Sequence, residues 1–324
     1  MHAPAASVPV IDLSGFVDGG RQHRRAIGEE IDRACREVGF FTVVGHGVDD
    51  ATVEALRTAA RAFFDGPLDD RLAVAMPEPG YPYGYNPLLA EALNRSIGGE
   101  ARPDLKETFN VGPIDPPPRP LDEMSDPDER AVYAPNLWPA AVPSLRPAVE
   151  AYYRSMAGLA ATLMESFAVA LELDDRIFDD LIDEHGSALR LAHYPALDGV
   201  PAPGQFRAGA HTDYGTLTIL WTDGEPGLQV QAADGTWLDV EPVDGGLIVN
   251  LGDLMARWTN DRWRSTMHRV VAAGRSGSRL SIPFFHNANW DATVECIVAD
   301  GESPKYPPIT AGRHLMEKFR STVM

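Results

Sequence analysis

The tripeptide His211-Thr212-Asp213 sets an imidazole and a carboxylate two residues apart. On an extended backbone that spacing turns both side chains to one face, where they can reach the same ion. Two donors hold a divalent cation poorly, so the chemistry asks for a third. His268, 55 residues beyond Asp213 in the β-prone run MHRVVAA, is the best-placed candidate. Two histidines and one carboxylate leave coordination positions open, an arrangement that suits Fe(II) and equally suits catalytic zinc. The three residues alone do not separate the two metals.

A second constellation follows in RLSIPFF, residues 279–285. Arg279, Ser281 and Phe285 share strand parity, so period-2 alternation turns all three to one side. A guanidinium fork beside a hydroxyl is suited to capture of a carboxylate. The stretch from Leu254 to Arg279 holds six arginines (Arg257, Arg262, Arg264, Arg269, Arg275, Arg279) against one acid, Asp261, a local reversal in a chain of net charge −19. An anionic ligand fits there, with most of these arginines expected to be solvated and one to bind it. His286 has the opposite parity and is expected to face away, and His46, inside the turn GHG, is expected to shape a bend. The tyrosines of GYPYGYNPLL divide evenly between loop packing and substrate contact. Tyr83 and Tyr85 are carried as substrate-lining candidates with Phe285 and with Tyr214, which follows the His-x-Asp pair.

These residues need a scaffold. VPVIDL reads as an entry strand, and Ile27, Ile31, Ala34, Cys35 and Val38 recur at helical spacing over Arg21–Val38 until Gly39 ends the helix. FFTVVGHGV then reads as a strand running into a glycine turn, and a second helix is predicted from Ala51 to Phe64. Residues 77–145, rich in proline, glycine and charge, are expected to be loops around short helices, not regular core. A long apolar helix is predicted over Val142–Leu173, burying one face against a sheet. From Ala188 eight β-like runs follow: ALRLAHY, TLTILW, GLQVQA, GTWLDV, GLIVNLG, MHRVVAA, RLSIPFF and TVECIVA. Short strands with turns such as ADGT between them predict an antiparallel, jelly-roll-type core supported by an N-terminal helical part.

Composition narrows the classes. A chain of 324 residues with 44% hydrophobic content can bury a large core. A net charge of −19 argues against nucleic-acid binding and against steering to an anionic membrane. Two distant cysteines, Cys35 and Cys296, form no disulfide framework. The start MHAPAASVPVIDLS lacks a secretory pattern, and no run of 18 apolar residues occurs, so a cytoplasmic protein without membrane spans is expected. Nothing in the sequence sets the oligomeric state, and a monomer is compatible with all of it.

HTD, then His268, then RLS resembles the isopenicillin N synthase-like branch of the Fe(II)- and 2-oxoglutarate-dependent dioxygenases. VPVIDLS, EVGFFTVVGHGV, PDLKETFNVG, NLWP, LRLAHYP, NLGDLM, MHRVV and RLSIPFF are similar to family signatures in family order and span roughly residues 8 to 290. The resemblance implies a mainly β fold with helical additions: a double-stranded β-helix (jelly-roll) core, about 186–300, flanked by α-helices. It implies an N-terminal α/β support region at 1–118 and a catalytic region at 119–324 within one unit.

By the same resemblance, His211, Asp213 and His268 hold Fe(II), and 2-oxoglutarate and O2 are the cosubstrates. Arg279 and Ser281 take the far carboxylate of 2-oxoglutarate, with help from Tyr194. The family's usual asparagine two residues before that tyrosine is Ala192 here, with His193 as a substitute to be tested. The implied reaction converts 2-oxoglutarate to succinate and CO2 while hydroxylating, desaturating or cyclising a small-molecule metabolite, as in secondary metabolism. Two other readings stand beside it: an iron oxidase of the same fold that uses no 2-oxoglutarate, and a non-catalytic metabolite sensor. Fold does not choose the substrate.

Overall fold

The computed structural model describes residues 7–78, 80–93, 102–197, 199, 201–272 and 277–323; His2 and Arg275 lie outside these. The first elements are β1 (Val10–Asp12), α1 (Arg21–Glu37), β2 (Phe40–Val44), α2 (Asp50–Phe64), α3 (Leu68–Leu72), β3 (Gly84–Asn86) and β4 (Glu107–Val111). Then come α4 (Pro127–Val132), α5 (Leu145–Ala170), α6 (Asp179–Ile182), β5 (Ala188–Tyr194), β6 (Ala208–His211), β7 (Leu217–Thr222) and β8 (Leu228–Gln231). The chain closes with β9 (Trp237–Asp239), β10 (Leu247–Leu251), α7 (Asp253–Trp258), β11 (His268–Val270), β12 (Arg279–His286), β13 (Thr293–Val294), β14 (Ile309–Thr310) and α8 (Ala311–Val323).

An eight-stranded sheet runs β1-β2-β10-β7-β12-β5-β4-β3 and a four-stranded sheet β6-β11-β8-β9. Alternation along the strands sorts their side chains into two cores. Leu280, Ile282 and Phe284 of β12 and Leu189 and Leu191 of β5 join the large cluster with Tyr152, Met156, Leu163 and Phe167 of α5. Ala192 and Tyr194 of β5, Phe40 and Ile248 face the other way, meeting Ala208, Leu228, Val230 and Val270 of the smaller sheet. The jelly-roll therefore has helices on the outer face of its major sheet and a lined interior between the two sheets. Gly28 permits the close approach of α1 to α5, since a Cβ there would lie 3.0 Å from Val169 Cγ1. Gly39, at φ +72°, ends α1 with its N–H on Ala34 O. Among the described residues no helix is long and apolar enough to cross a membrane.

Two expectations need correction, and one strand was not expected. The 77–145 segment is not only loops: β3 and β4 occupy two positions of the major sheet, and every residue of β4 is buried. The short β4 run is hidden by the proline-rich sequence around it. TVECIVA contributes only Thr293–Val294, paired with β14 in a separate two-stranded sheet whose Val294 joins the large core. β6, with the sequence AGAH, gives no strand signal because small residues carry little β propensity.

Phe109 on β4 is fully buried, with ring centroids 5.0 Å from Phe63 and 6.4 Å from Trp138. Phe109→Ala is expected to lower stability by about 3–5 kcal/mol in urea unfolding. A loss under about 1 kcal/mol, the range of surface substitutions, would place β4 outside the core.

Candidate metal centre

β6 and β11 are antiparallel neighbours in which His211 lies opposite His268. Their ring centroids are 4.3 Å apart. His211 Nδ1 donates to Gly209 O at 2.7 Å and His268 Nδ1 donates to Thr266 O at 3.1 Å. A carbonyl can only accept, so both rings carry the proton on Nδ1 and keep the Nε2 lone pair free. These nitrogens stand 3.9 and 3.8 Å from Asp213 Oδ1. The second oxygen, Oδ2, accepts from Thr218 Oγ1 at 2.6 Å and from Asn250 Nδ2 at 2.7 Å. One carboxylate oxygen is thus fixed by the major sheet, and the other is left facing two imidazoles of the smaller sheet.

Ligand atoms of His211, Asp213 and His268 all lie within 4.8 Å of one another. Burial, and then the neighbouring His268, lower the His211 pKa to about 3 and keep its ring neutral as a ligand must be. Burial would raise the Asp213 carboxyl, but the two imidazoles and the bonds from Asn250 and Thr218 outweigh it and hold the group below the usual carboxylate range. Two imidazole nitrogens oriented by their Nδ1 bonds and one carboxylate oxygen fit a divalent metal of the Fe(II) or Zn(II) type.

The His-x-Asp pair is not one strand running into TLTILW, as the sequence spacing suggested. His211 ends β6 in one sheet, and β7 starts at Leu217 in the other. The segment between them crosses from sheet to sheet, with Gly215 packed on Gly252. A Cβ on Gly252 would lie 2.1 Å from Gly215 O, so the two backbones meet this closely only with glycine at 252. Asp213 O then accepts from Asp253 N at 2.8 Å, at the start of α7.

Arg279, Ser281 and Tyr194 gather at the start of β12. Arg279 Nη1 donates to Ser281 Oγ at 2.9 Å, Nε donates to Glu225 O at 3.1 Å, and Ser281 Oγ donates to Tyr194 Oη at 3.5 Å. Arg279 is 1% exposed, while Arg262 pairs with Asp32 and Arg269 lies over Trp237. His193 is no substitute for the missing asparagine. Its parity turns it outward, where it contacts Glu107 at 2.7 Å and Ser278 at 3.0 Å and stacks on Phe64. His286 faces outward as expected, bonded to Thr216, and His46 ties its turn to Gly245 O.

The substrate-lining candidates separate. Phe285 is half-buried on the inner side, with the Arg190 guanidinium 5.9 Å from its ring. Tyr85 is not on that side: it packs in the helix-side core against Phe63, its hydroxyl donating to Glu107. Tyr83 is likewise taken up in packing, its hydroxyl donating to Val132 O and its ring filling the space beside Gly112. Tyr214 turns its ring toward Phe319 of α8, centroids 5.4 Å apart.

Sequence reasoning missed a charged wall. Arg190, on the inner face of β5, donates to Asn110 Oδ1 at 2.8 Å and to Glu91 Oε2 at 3.2 Å. Buried Lys106 pairs with the same Glu91 oxygen at 3.0 Å and with Asp104 at 3.3 Å. Asp104 Oδ1 accepts from Gly209 N, two residues before His211. Burial opposes the charge on Glu91, but Arg190 and Lys106 prevail and lower its pKa to about 2. The sequence signal was Arg190 sharing parity with Ala192 and Tyr194 on a strand otherwise apolar.

Residues 8–141 match the family described as non-haem dioxygenase in morphine synthesis, N-terminal, and residues 185–288 match the 2OG-Fe(II) oxygenase superfamily. The chain is 35% identical over 320 residues to validamycin A dioxygenase of Streptomyces hygroscopicus subsp. limoneus, covering 96% of this chain and 86% of that one. It is also 35% identical to a 2-oxoglutarate-Fe(II) type oxidoreductase of Emericella nidulans, covering 95% and 88% respectively. A full-length Neurospora crassa protein, solved in complex with alpha-KG, superposes with a TM-score of 0.85 at 29% identity, covering 99% of this chain and 98% of that one.

Thr218→Val and Asn250→Ala each remove one of the two bonds to Asp213 Oδ2. Each is expected to weaken Mn(II) binding, followed by calorimetric titration, by about 10- to 100-fold. Unchanged affinity would mean that the two bonds do not orient the ligand.

Proposed function

The chain belongs to the Fe(II)- and 2-oxoglutarate-dependent oxygenase superfamily, and on that premise we propose that His211, Asp213 and His268 hold its iron, and that Arg279, Ser281 and Tyr194 receive 2-oxoglutarate. Fe(II) held there supplies O2 activation, coupling decarboxylation of 2-oxoglutarate to succinate and CO2 with oxidation of a small molecule. The observation that carries the reading is a buried Arg279, bonded to no carboxylate among the described residues, in the same interior as a three-donor metal cluster.

The chain's own residues position and shield. Asp213 Oδ2 is locked by Thr218 and Asn250, so its other oxygen cannot rotate away from the metal position. Arg279 and Ser281 offer convergent donors, and the Tyr194 hydroxyl supports the serine. The apolar faces of Phe40, Val230 and Val270 exclude water around the donors. Phe285 and Arg190 form the wall for the molecule to be oxidised.

The motif order from VPVIDLS to RLSIPFF supports membership of the isopenicillin N synthase-like branch. Use of 2-oxoglutarate, over the variant that dispenses with it, is supported by relatives named for that cosubstrate. A small polar substrate is supported by the paired charges beside Phe285 and by relatives named for validamycin A or solved with thymine. A cytoplasmic setting is in keeping with this chemistry.

Anaerobic Fe(II) with 2-oxoglutarate is expected to give a visible charge-transfer band in the wild type and none in His211→Ala. A metallated wild type without the band would sink the metal assignment. In aerobic assays of a metabolite pool with ascorbate, substrate-stimulated succinate should rise in step with oxygen uptake; uptake without succinate would exclude 2-oxoglutarate as the cosubstrate.

A further inference from the structure

Arg207, just before β6, is fully buried. Its Nη2 donates to Gly277 O and, at 3.4 Å, to Pro195 O. Its Nε and Nη1 are buried with no hydrogen-bond partner among the described residues. Arginine is almost never fully buried without a counter-charge, because desolvating a guanidinium costs several kcal/mol. Yet both partners of Arg207 are carbonyls. Arg279, equally buried, is bonded among the described residues to a carbonyl and a hydroxyl. Two acids, Glu225 and Asp223, act on Arg207 from a distance. Neither is bonded to it, and Asp223 Oδ2 is already taken by Arg61 at 2.6 Å and by Leu280 N at 2.7 Å.

The two guanidiniums flank one ring: Arg279 lies 5.2 Å and Arg207 6.0 Å from the Tyr194 centroid. Burial, and then the charge of Arg279, lower the Arg207 pKa, so each cation feels the other. Two like charges with no carboxylate bonded to either among the described residues, and with two nitrogens of Arg207 unspent, describe a place that suits an anion.

We propose that Arg207 is a second cation of the cosubstrate site, joining Arg279, Ser281 and Tyr194 in holding the far carboxylate of 2-oxoglutarate. This rests on the reading of Arg279 given above. It assigns the Arg207 charge to ligand binding and not to folding. Placing the anion satisfies Nε and Nη1 and relieves the repulsion between the guanidiniums in one step. The site should therefore discriminate strongly between 2-oxo acids with and without a second carboxylate.

Anaerobic Fe(II)-loaded protein is titrated with 2-oxoglutarate and, separately, with 2-oxobutyrate, which keeps the chelating head and lacks the far carboxylate. The visible band reads Kd, and ligand-induced change in Tm is recorded alongside. R207Q is expected to raise Kd for 2-oxoglutarate by about 10- to 100-fold, the loss of one charge-assisted contact, while leaving 2-oxobutyrate unaffected. R207K, which keeps the charge, is expected to recover part of the loss. Equal weakening of both ligands in R207Q would make Arg207 a scaffold residue and overturn the proposal, as would failure of both R207Q and R207K to fold. R279Q separates the two layers of inference. If R279Q weakens 2-oxoglutarate and R207Q does not, only the role of Arg207 falls. If neither does, the cosubstrate site itself is misassigned.

Discussion

The carboxylate of Asp213 has to be satisfied from both sheets at once, in a place that is 7% exposed. A buried carboxylate is costly unless every oxygen finds a partner. Thr218 and Asn250, cross-strand neighbours on β7 and β10, fill one oxygen. The other faces two imidazoles whose own protons are tied to backbone carbonyls. Those imidazoles turn their Nε2 atoms toward that oxygen, so three donor atoms from two sheets converge on one point. Closure of the jelly-roll and assembly of the metal position therefore depend on the same group.

The same logic governs the far end of the interior. The chain has a net charge of −19, yet Arg207 and Arg279 are both buried near the Tyr194 ring with carbonyls and a hydroxyl as partners. One part of the interior thus gathers donors suited to a cation, and another gathers guanidiniums suited to an anion. A ligand carrying carboxylate and keto oxygens at one end and a carboxylate at the other matches both needs. Along the side wall the charges of Lys106, Arg190, Glu91 and Asp104 are already paired among themselves. That difference separates the parts that wait for ionic ligands from the part that meets a neutral or polar one.

Legibility in the sequence followed periodicity. The convergence of His211, Asp213 and His268 and the pairing of Arg279 with Ser281 were readable because residue type and strand parity act locally, and Phe285 was assigned its side by the same rule. Helix limits came within a few residues, as α1 and α2 show, because their apolar repeats are regular and Gly39 marks an end. Tyr83 and Tyr85 failed because spacing cannot tell which face of an edge strand is covered by helices. His193 failed for a plainer reason: it sits one residue from Ala192, and a shift of one residue reverses the face. β4 and β6 were missed because their pairing is set by distant strands, not by their own composition. Arg207 carried no local signal at all, since its burial is a property of the closed fold.

Helix α8 leans on this machinery from outside. Phe319 packs on Tyr214, Lys318 pairs with Asp253 at 2.7 Å, and Arg320 pairs with Asp128. Asp253 in turn is bonded to Thr212, inside the His-Thr-Asp tripeptide. The last helix is thus mechanically coupled to the ligand-bearing loop through two adjacent residues. A substitution at Lys318 or Phe319 is therefore felt at Thr212 and Tyr214, the residues on either side of Asp213.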